Sequence, residues 1–482
     1  MKRLSELLEK KPAYAWLFFG GAMLITFLFG LFASTVAERR IESVVSFQIA
    51  NNIDEHEADN SVWGKSYPRQ YQRWKATEGS AVKDLLDVHP EMPVLWAGYA
   101  FSREYNEARG HMNAVRDVRE ILRTGVAQPG TCWTCKSSNV PGLMAKIGTK
   151  EFYRRKWVEL GHDVKHPIGC VDCHNPKTME LRISRPALTQ ALEREGRNIA
   201  EISHQEMRSL VCAQCHVEYH FKDKKDPELI FPWHKGTRAE QIEEHYDEID
   251  FFDWEHPLSR TKMLKAQHPD YELSKEGIHF QRGVSCADCH MPYWTEGGVK
   301  FTDHKIESPL NKISYSCAVC HTENEEQLRK NVYDRQDIIN QLRKQAQKLL
   351  ARTHIEAKKA WEKGATQAEI APALKLIRQA QWRWDFAVAS LGASFHAPLE
   401  VARLLGTAME KAQEARLEIA RVLARRGHLD LVDMPDITTK QKAQKFIGLD
   451  MNKITADKKE FIKKAVPAWD ANKKLQQKDV NF

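Results

Sequence analysis

The sequence predicts a mainly α-helical fold in which an irregular N-terminal region is followed by long C-terminal helices. Residues 61–322 contain scattered prolines, glycines and aromatic residues, short apolar runs and no sustained strand alternation. Proline is then absent from 310 to 371 and glycine from 299 to 363, which favours long helices. The ten cysteines form five Cys-x-x-Cys pairs with none left over. With 482 residues, 42% of them hydrophobic, the chain can bury a sizeable core.

The N-terminus has the pattern of a membrane anchor or a secretory signal. Residues 1–11 are polar and net basic, and Pro12 to Ala37 is an uncharged run of 26 residues. Crossing a bilayer takes about 20 apolar residues, whereas the apolar part of a secretory signal has about 7–15. The length favours an uncleaved transmembrane anchor over 12–37, with residues 1–11 in the cytoplasm. Cleavage after Thr35-Val36-Ala37, giving a soluble periplasmic protein, is the alternative. Residues 38–60 are expected to form a charged helical connector.

Residues 323–428 are predicted to hold the long helices. Apolar residues of the first helix follow three/four spacing, which is typical of one buried helical face. They are Leu328, Val332, Ile339, Leu342, Ala346 and Leu349. This helix is expected to end at Gly364, a second to cover about 367–391, and a third to run from near Pro398 to Gly427. The apolar stripe is interpreted either as intramolecular packing or as a dimer interface.

The tail, residues 429–482, is rich in lysine and contains short helical patches. A solvated face accounts for such a charge run. A docking patch for acidic lipid or for a partner is the alternative.

Each Cys-x-x-Cys pair is followed by a residue that can bind iron. The pairs are Cys132/Cys135, Cys170/Cys173, Cys212/Cys215, Cys286/Cys289 and Cys317/Cys320, and the next residues are Lys136, His174, His216, His290 and His321. In Cys-x-x-Cys-His the sulfurs form thioethers with the haem vinyl groups and the histidine binds the iron. Zinc ribbons pair such units to give four ligands, and five units leave one unpaired. A thioredoxin-like site needs a βαβ setting, which the sequence does not indicate.

Five haem c groups are therefore predicted. Residues 61–322 would struggle to form a core from side chains alone, and five buried porphyrins would supply the missing apolar mass. The formal charge of +7 does not indicate nucleic-acid binding, because five haems would add roughly ten propionate carboxylates.

Lys136 stands where the other four motifs have histidine. An amine binds iron only in its neutral form, although lysine ordinarily titrates near 10.4, so burial and the metal must remove its proton. We expect the Lys136 haem to be five-coordinate and catalytic; sequence drift in an electron-transfer haem is the alternative. Sixteen further histidines are available as second axial ligands of the other haems.

The motif Cys132-Trp133-Thr134-Cys135-Lys136, followed by four Cys-x-x-Cys-His motifs, resembles the ammonia-forming pentahaem cytochrome c nitrite reductases. The resemblance covers about residues 61–428 and includes further segments. Among these are Arg109-Gly110-His111-Met112, Cys215-His216-Val217-Glu218-Tyr219, Lys265-Ala266-Gln267-His268-Pro269 and Thr302-Asp303-His304-Lys305. It implies a six-electron reduction of nitrite to ammonium, with electrons supplied through four bis-histidine haems.

The resemblance also implies individual roles. The catalytic residues would be Lys136, Arg123, Tyr219 and His268. The distal ligands would be His111 for the Cys212/Cys215 haem, His304 for the Cys170/Cys173 haem, His396 for the Cys286/Cys289 haem and His279 for the Cys317/Cys320 haem. One Ca²⁺ would take the Glu218 carboxylate, the Gln267 side-chain oxygen and the carbonyls of Tyr219 and Lys265, all of them oxygen ligands. Implied partners are nitrite, a membrane-bound quinol-oxidising cytochrome c donor and a second copy in a homodimer.

Other interpretations stay open at this point. Without the resemblance, Arg123 would be a charge near a helix end, Tyr219 a core residue and His268 a loop histidine. The chain could be a non-catalytic multihaem electron carrier, or a reductase acting mainly on hydroxylamine or sulfite. The remaining histidines considered as ligands are expected at the surface or in supporting positions: His89, His162, His166, His220, His234, His256 and His354.

Overall fold

The structure is a computed structural model that describes residues 11–48, 53–79, 81–223 and 225–480. It is mostly helical, which confirms the predicted fold class. Nearly all of the expected cytoplasmic segment, residues 1–11, lies outside the described residues.

Short helices dominate the first two-thirds of the chain. They are α1 (Pro12–Gln48), α2 (Asn60–Ser66), α3 (Pro68–Lys75), α4 (Leu85–Val88), α5 (Met92–Leu95), α6 (Ala114–Glu120), α7 (Asn139–Ile147), α8 (Thr149–Arg154), α9 (Trp157–Leu160), α10 (Cys170–Cys173), α11 (Pro186–Arg194), α12 (His204–Ala213), α13 (Ala239–Glu248), α14 (Asp270–Lys275), α15 (Ile278–Gln281), α16 (Cys286–His290) and α17 (Ile313–Ser316). Only α1 among them is long.

The described strands form three two-stranded antiparallel sheets, none with strands longer than four residues. They are β1 (His220–Phe221) with β2 (Leu229–Ile230), β3 (Trp254–Glu255) with β4 (Lys262–Met263), and β5 (Tyr293–Glu296) with β6 (Val299–Thr302). Their registers pair His220 with Ile230, Trp254 with Met263 and Tyr293 with Thr302.

Helix α1 runs without a break from the apolar segment into the expected connector and ends at Gln48. Of the rest of that connector, residues 53–59 are not helical and residues 49–52 lie outside the described part of the chain. By length and composition, Ala13–Glu38 is apolar enough to cross a membrane, and none of it is buried in the protein. A signal sequence near an N-terminus has the same properties.

Three long helices follow residue 322: α18 (Glu325–Glu362), α19 (Gln367–Ala389) and α21 (Pro398–Arg425), with α20 (Ala393–His396) between the last two. Their ends follow local chemistry. Thr366 and Glu369 form a capping box at the start of α19. Gly364 and Gly427, just beyond α18 and α21, have φ of +83° and +74°, where glycine is unstrained.

The stripe on α18 packs within the chain. Leu328, Val332, Ile339 and Ala346 are buried, and Ile339 and Ala346 belong to the core that α18 shares with α19 and α21. This contact favours the intramolecular interpretation of the stripe. The dimer interface stays a prediction.

The tail forms α22 (Lys440–Phe446) and α23 (Met451–Asp470). Most of its lysines form the expected solvated face, and the exposed ones include Lys442, Lys445, Lys453, Lys459, Lys463 and Lys464. The opposite face of α23 is buried: Phe461, Ala465 and Trp469 recur every fourth residue and close a side-chain core around Trp133 and Trp157. The expectation that the haem-motif region lacks a side-chain core was therefore wrong.

Candidate haem sites and active centre

The five Cys-x-x-Cys motifs adopt two kinds of turn. In three of them the histidine N–H donates to the carbonyl of the first cysteine: His174 to Cys170 and His216 to Cys212 at 2.9 Å, and His321 to Cys317 at 3.0 Å. The fourth, Cys286–His290, is an α-helix. A helical turn puts both sulfurs and the ligand on one face. The Lys136 N–H instead donates to Trp133 at 2.9 Å, after a 3₁₀-helix over Gly130–Trp133.

The motifs lie next to one another in space. All ten cysteines are free thiols. Cys135 lies next to Cys215, and Cys212 lies next to Cys286. Three motifs separated widely in sequence thus form a continuous row that ends at the lysine motif.

Cys320 is exposed, whereas the other nine motif cysteines are partly buried. Its motif lies in a surface turn between α17 and the exposed first turn of α18. Attachment of a haem to Cys317 and Cys320 stays a prediction.

Each motif histidine faces the distal histidine expected for it. The ring centroids are 6.4 Å apart for His216 and His111, 6.2 Å for His174 and His304, and 6.1 Å both for His290 and His396 and for His321 and His279. Two imidazoles bound to opposite sides of one metal, each at about 2 Å, have centroids roughly 6 Å apart. All four pairs fit an iron between them.

Hydrogen bonds orient several of these rings. The Nδ1 atoms are bonded to the carbonyls of Met179 (His174, 2.8 Å), Glu307 (His290, 3.0 Å) and Thr302 (His304, 2.7 Å), and to the Asp270 carboxylate (His216, 3.2 Å). A partner on one ring nitrogen fixes the ring and leaves the other nitrogen for a metal. The donor set therefore fits c-type haem.

Other histidine contacts differ from these pairs. His256 and His354 stack at 3.8 Å and His234 and His245 at 4.1 Å, too close for a metal between the rings. His220 lies 5.9 Å from His245, but neither follows a cysteine motif.

A surface position is wrong for four of the remaining histidines, because His89, His220, His256 and His354 are buried. His354 is held by Ser259 and Gln381 at 2.9 and 2.7 Å. Such contacts explain a buried histidine without a metal.

The expected catalytic side chains lie together in the interior beside the lysine motif. Lys136 and Arg123 both lie near Cys132. Tyr219 lies near Arg123, and Lys136 lies near His268. The Arg123 guanidinium carbon is 3.8 Å from the Phe101 ring centroid. Its Nε is buried and has no hydrogen-bond partner among the described residues.

Burial sets the protonation of this centre. It lowers the pKa of His268 to about 3, so the imidazole is neutral near pH 7. Burial also raises the pKa of Tyr219 well above its ordinary value, which keeps the hydroxyl protonated. Arg123 is thus the charged donor and Tyr219 a neutral one.

The four residues expected to bind calcium are close together. Glu218 accepts hydrogen bonds from the Gln267 N–H at 2.6 Å and the Tyr246 hydroxyl at 3.0 Å. The Gln267 Nε2 lies 3.0 Å from the Lys265 carbonyl, so the amide presents nitrogen where the side-chain oxygen was expected. Rotating this amide exchanges the two atoms without changing its shape. Tyr219 follows Glu218 directly.

The charge around Glu218 also fits a cation. Burial raises the pKa of Glu218 well above its ordinary value, and the nearby Glu272 and Asp253 raise it further. Burial likewise raises the pKa of Asp253 to about 7. No group of three or more His, Cys, Asp or Glu side chains in the described part of the chain is placed to hold a metal. A calcium ion here would therefore depend on amide and carbonyl oxygens as well as on Glu218.

Comparison with known proteins decides the family. The sequence model of the cytochrome c552 family matches residues 59–478. The chain belongs to the cytochrome c552 family. It is 53% identical to cytochrome c-552 of Porphyromonas gingivalis and 55% identical to that of Bacteroides fragilis, over 95% of this chain and 96% of each relative. A solved cytochrome c nitrite reductase from Desulfovibrio desulfuricans, described with two calcium sites in its catalytic subunit, matches with a TM-score of 0.74 and 28% identity, over 89% of this chain and 98% of that one.

The cytochrome c552 match corrects the expected extent of the resemblance. It continues to residue 478, beyond the limit near 428 suggested by the quoted motifs. The tail is therefore part of what the family shares.

A residue not anticipated from the cytochrome motifs, Arg185, connects them. It is buried and donates to the carbonyls of Thr134 at 2.6 Å and Ser137 at 3.0 Å, and to the Asp172 carboxylate at 2.6 Å. The Gln214 amide donates to the Asp172 carbonyl at 2.8 Å. Arg185 thereby joins the lysine motif to the Cys170/Cys173 motif, and Asp172 connects the latter to the Cys212/Cys215 motif. No local pattern predicts this role, since its partners are 13 to 51 residues away.

Proposed function

We propose that this cytochrome c552 is an ammonia-forming nitrite reductase with five c-type haems, four held by histidine pairs and one by Lys136. The observation that carries the proposal is Arg123, a partly buried residue whose Nε is itself buried without a hydrogen-bond partner among the described residues, and which lies beside Tyr219 and Cys132. A buried cation without a carboxylate partner is costly unless an anion binds it. Its forked donors suit a planar oxyanion such as nitrite.

The haems, when bound, would supply the electrons and, at the haem held by Lys136, an iron that can bind the substrate. The protein supplies the rest of the site. Arg123 binds and orients the anion, and Phe101 holds the guanidinium in position by stacking. The Tyr219 hydroxyl donates a hydrogen bond, because its raised pKa keeps the proton on oxygen. His268, neutral near pH 7, stabilises negative charge and passes protons from Nε2 or Nδ1 to the substrate.

Finer features extend the proposal. Ca²⁺ is held by Glu218, Gln267 and the carbonyls of Tyr219 and Lys265, and it fixes Tyr219 through the chain. The first helix anchors the protein on the periplasmic side of the membrane, where a quinol-oxidising cytochrome c delivers electrons. The functional unit is a homodimer.

Nitrite turnover of haem-loaded variants tests the function. His268→Asn should lower turnover by orders of magnitude at unchanged haem content, whereas His162→Asn, at a histidine outside the proposed centre, should match wild type. Lys136→His should also lose turnover, and unchanged turnover would remove the lysine from the mechanism.

A non-catalytic carrier is the main competing function. It requires every iron to be six-coordinate, so a high-spin ferric signal that shifts with nitrite would exclude it. Steady-state kinetics with nitrite, hydroxylamine and sulfite would rank the substrates.

A further inference from the structure

The last long helix, α23, packs behind the lysine motif. Trp469 is completely buried, with its ring centroid 5.2 Å from Trp157 and 6.5 Å from Trp133. Its indole N–H donates to the Val158 carbonyl at 3.0 Å. Trp133 lies between the two cysteines of the lysine motif. The C-terminal end of α23 thus supports the segment that carries Lys136.

The same helix reaches the loop that carries Arg123. Lys458 is buried, and its Nζ donates to the Thr124 carbonyl at 2.8 Å and lies 3.1 Å from the Thr124 hydroxyl. Thr124 directly follows Arg123. Lys458 and Trp469 are eleven residues apart, about 16 Å along a helix. One helix, α23, therefore contacts both the segment that carries Lys136 and the loop that carries Arg123.

The Arg123 loop, residues 122–125, belongs to no helix or strand of the described chain. Within the neighbouring sequence, the Thr124 hydroxyl bonds back to the Val118 carbonyl at 2.5 Å. Gln128 bonds to both the Arg123 carbonyl (3.0 Å) and the Gly125 N–H (2.8 Å). These bonds shape the turn locally and do not connect it to the rest of the protein.

Two side chains from more distant parts of the sequence hold this loop. Glu104 accepts a hydrogen bond from the Leu122 N–H at 2.6 Å. Lys458, more than 300 residues away in the chain, donates to the Thr124 carbonyl. The tail thus supplies the contact that fixes the Thr124 peptide against another element.

We propose that Lys458 is a positioning residue for nitrite binding, which holds the Thr124 peptide and thereby places the Arg123 guanidinium against Phe101. This inference rests on the proposed function. Burial lowers the pKa of Lys458 to about 7, so the charged amine is disfavoured at this position. A gain in folding stability from the charge of Lys458 therefore does not explain why this lysine is buried here.

Haem-loaded Lys458→Met tests the inference, with Lys459→Met as the matched control because Lys459 is the exposed neighbour. Hydrogen exchange of the amides of residues 122–125, nitrite affinity of the oxidised protein from spectral titration, and KM and kcat are measured in parallel. In Lys458→Met, exchange should accelerate at 122–125 only. Nitrite Kd and KM should rise about 10- to 100-fold, with kcat within about two-fold of wild type. Lys458→Arg, which keeps a charged donor, should recover part of the affinity.

The outcomes distinguish a failure of the positioning role of Lys458 from a failure of the proposed function. If wild type reduces nitrite but Lys458→Met keeps wild-type affinity and exchange, the positioning role is wrong. Exchange that accelerates throughout the protein, with KM unchanged, would show a general structural role and also overturn it. If Lys458→Met does not fold, Lys458→Arg decides: nitrite Kd and exchange at residues 122–125 should both rise to an intermediate degree, and wild-type values of both would overturn the positioning role. A wild type that neither binds nor reduces nitrite would refute the proposed function itself.

Discussion

Substitution Arg185→Leu should destabilise the protein strongly, because it leaves Asp172 buried without its ion-pair partner. Removing one member of a buried pair costs about 3–5 kcal/mol. Asp172 keeps hydrogen bonds from the Ser138 hydroxyl at 2.6 Å and the Gly169 N–H at 2.7 Å, which places this part of the cost near the lower limit. The carbonyls of Thr134 and Ser137 also lose a donor, at about 1 kcal/mol each. Burial of the apolar leucine side chain offsets part of this cost, so we expect the free energy of unfolding to fall by about 4 kcal/mol.

The loss can be read as a melting temperature of the haem-loaded protein by calorimetry. Unfolding entropy is about 2.1 cal/mol/K per residue, or about 1 kcal/mol/K for 482 residues, so the melting temperature should fall by about 4 °C. Arg116→Leu is the control. Its exposed pair with Glu120 at 2.9 Å contributes under about 0.5 kcal/mol, and the shift should stay below about 1 °C.

Equal melting temperatures for Arg185→Leu and Arg116→Leu would refute this reasoning. A double variant distinguishes charge from packing. Adding Asp172→Asn to Arg185→Leu removes the unpaired carboxylate while keeping an acceptor, and should restore about 2 °C. If it restores nothing, lost packing rather than the unpaired carboxylate causes the effect.

Three further predictions concern ligands and protonation. His304→Ala should convert one low-spin haem to high-spin by electron paramagnetic resonance, since it removes the ring facing His174; His162→Ala should leave the spectrum unchanged. A calcium chelator should lower the melting temperature of wild type. Burial raises the pKa of Glu218 because it disfavours the charged carboxylate, and a bound cation would offset this cost. Glu218→Gln should be insensitive to the chelator. The pKa of Lys458 is lowered to about 7 by burial, against the opposing charges of Glu104 and Glu120, whereas in the unfolded chain it is near 10.4. Between these values the unfolded state binds the extra proton, so stability should rise with pH by up to about 1.4 kcal/mol per unit, and Lys458→Met should lack this slope in denaturant titrations.

Features set by neighbouring residues could be predicted from the sequence. The stop at Gly364 and the start near Pro398 depend on backbone preferences of single residues, and the helices α18 and α21 end and begin there. The Cys-x-x-Cys spacing similarly fixes one turn. The structure added a difference that spacing could not supply, namely that Lys136 bonds to Trp133 rather than to the first cysteine.

Features set by distant residues required either resemblance or coordinates. His174 and His304 are far apart in sequence, and nothing in either local segment identifies the other as its partner. Arg185 was missed for the same reason. The buried face of the tail was missed because lysines dominate its composition, although the spacing of Phe461, Ala465 and Trp469 is that of a buried face. Which lysine of such a helix becomes buried depends on its packing partners, and sequence alone cannot supply those.

The position of the tail connects the Arg123 loop to the lysine motif, and this allows the two segments to act as one nitrite-binding site. Arg123 and Lys136 are near in sequence, and the segment between them is also held by residues 155–157, since the Gly130 N–H donates to the Arg155 carbonyl at 2.5 Å and the Trp157 N–H to the Gln128 carbonyl at 2.9 Å. Helix α23 adds a further connection, from Lys458 to the Thr124 peptide and from Trp469 to Trp133, although Pro467 within it allows some bending. Movement of the arginine relative to the lysine motif would therefore disturb the Lys458 contact at 2.8 Å or the packing of Trp469. Substitutions at the C-terminus should therefore alter anion affinity without touching the substrate, and those on the exposed face of α23 should not.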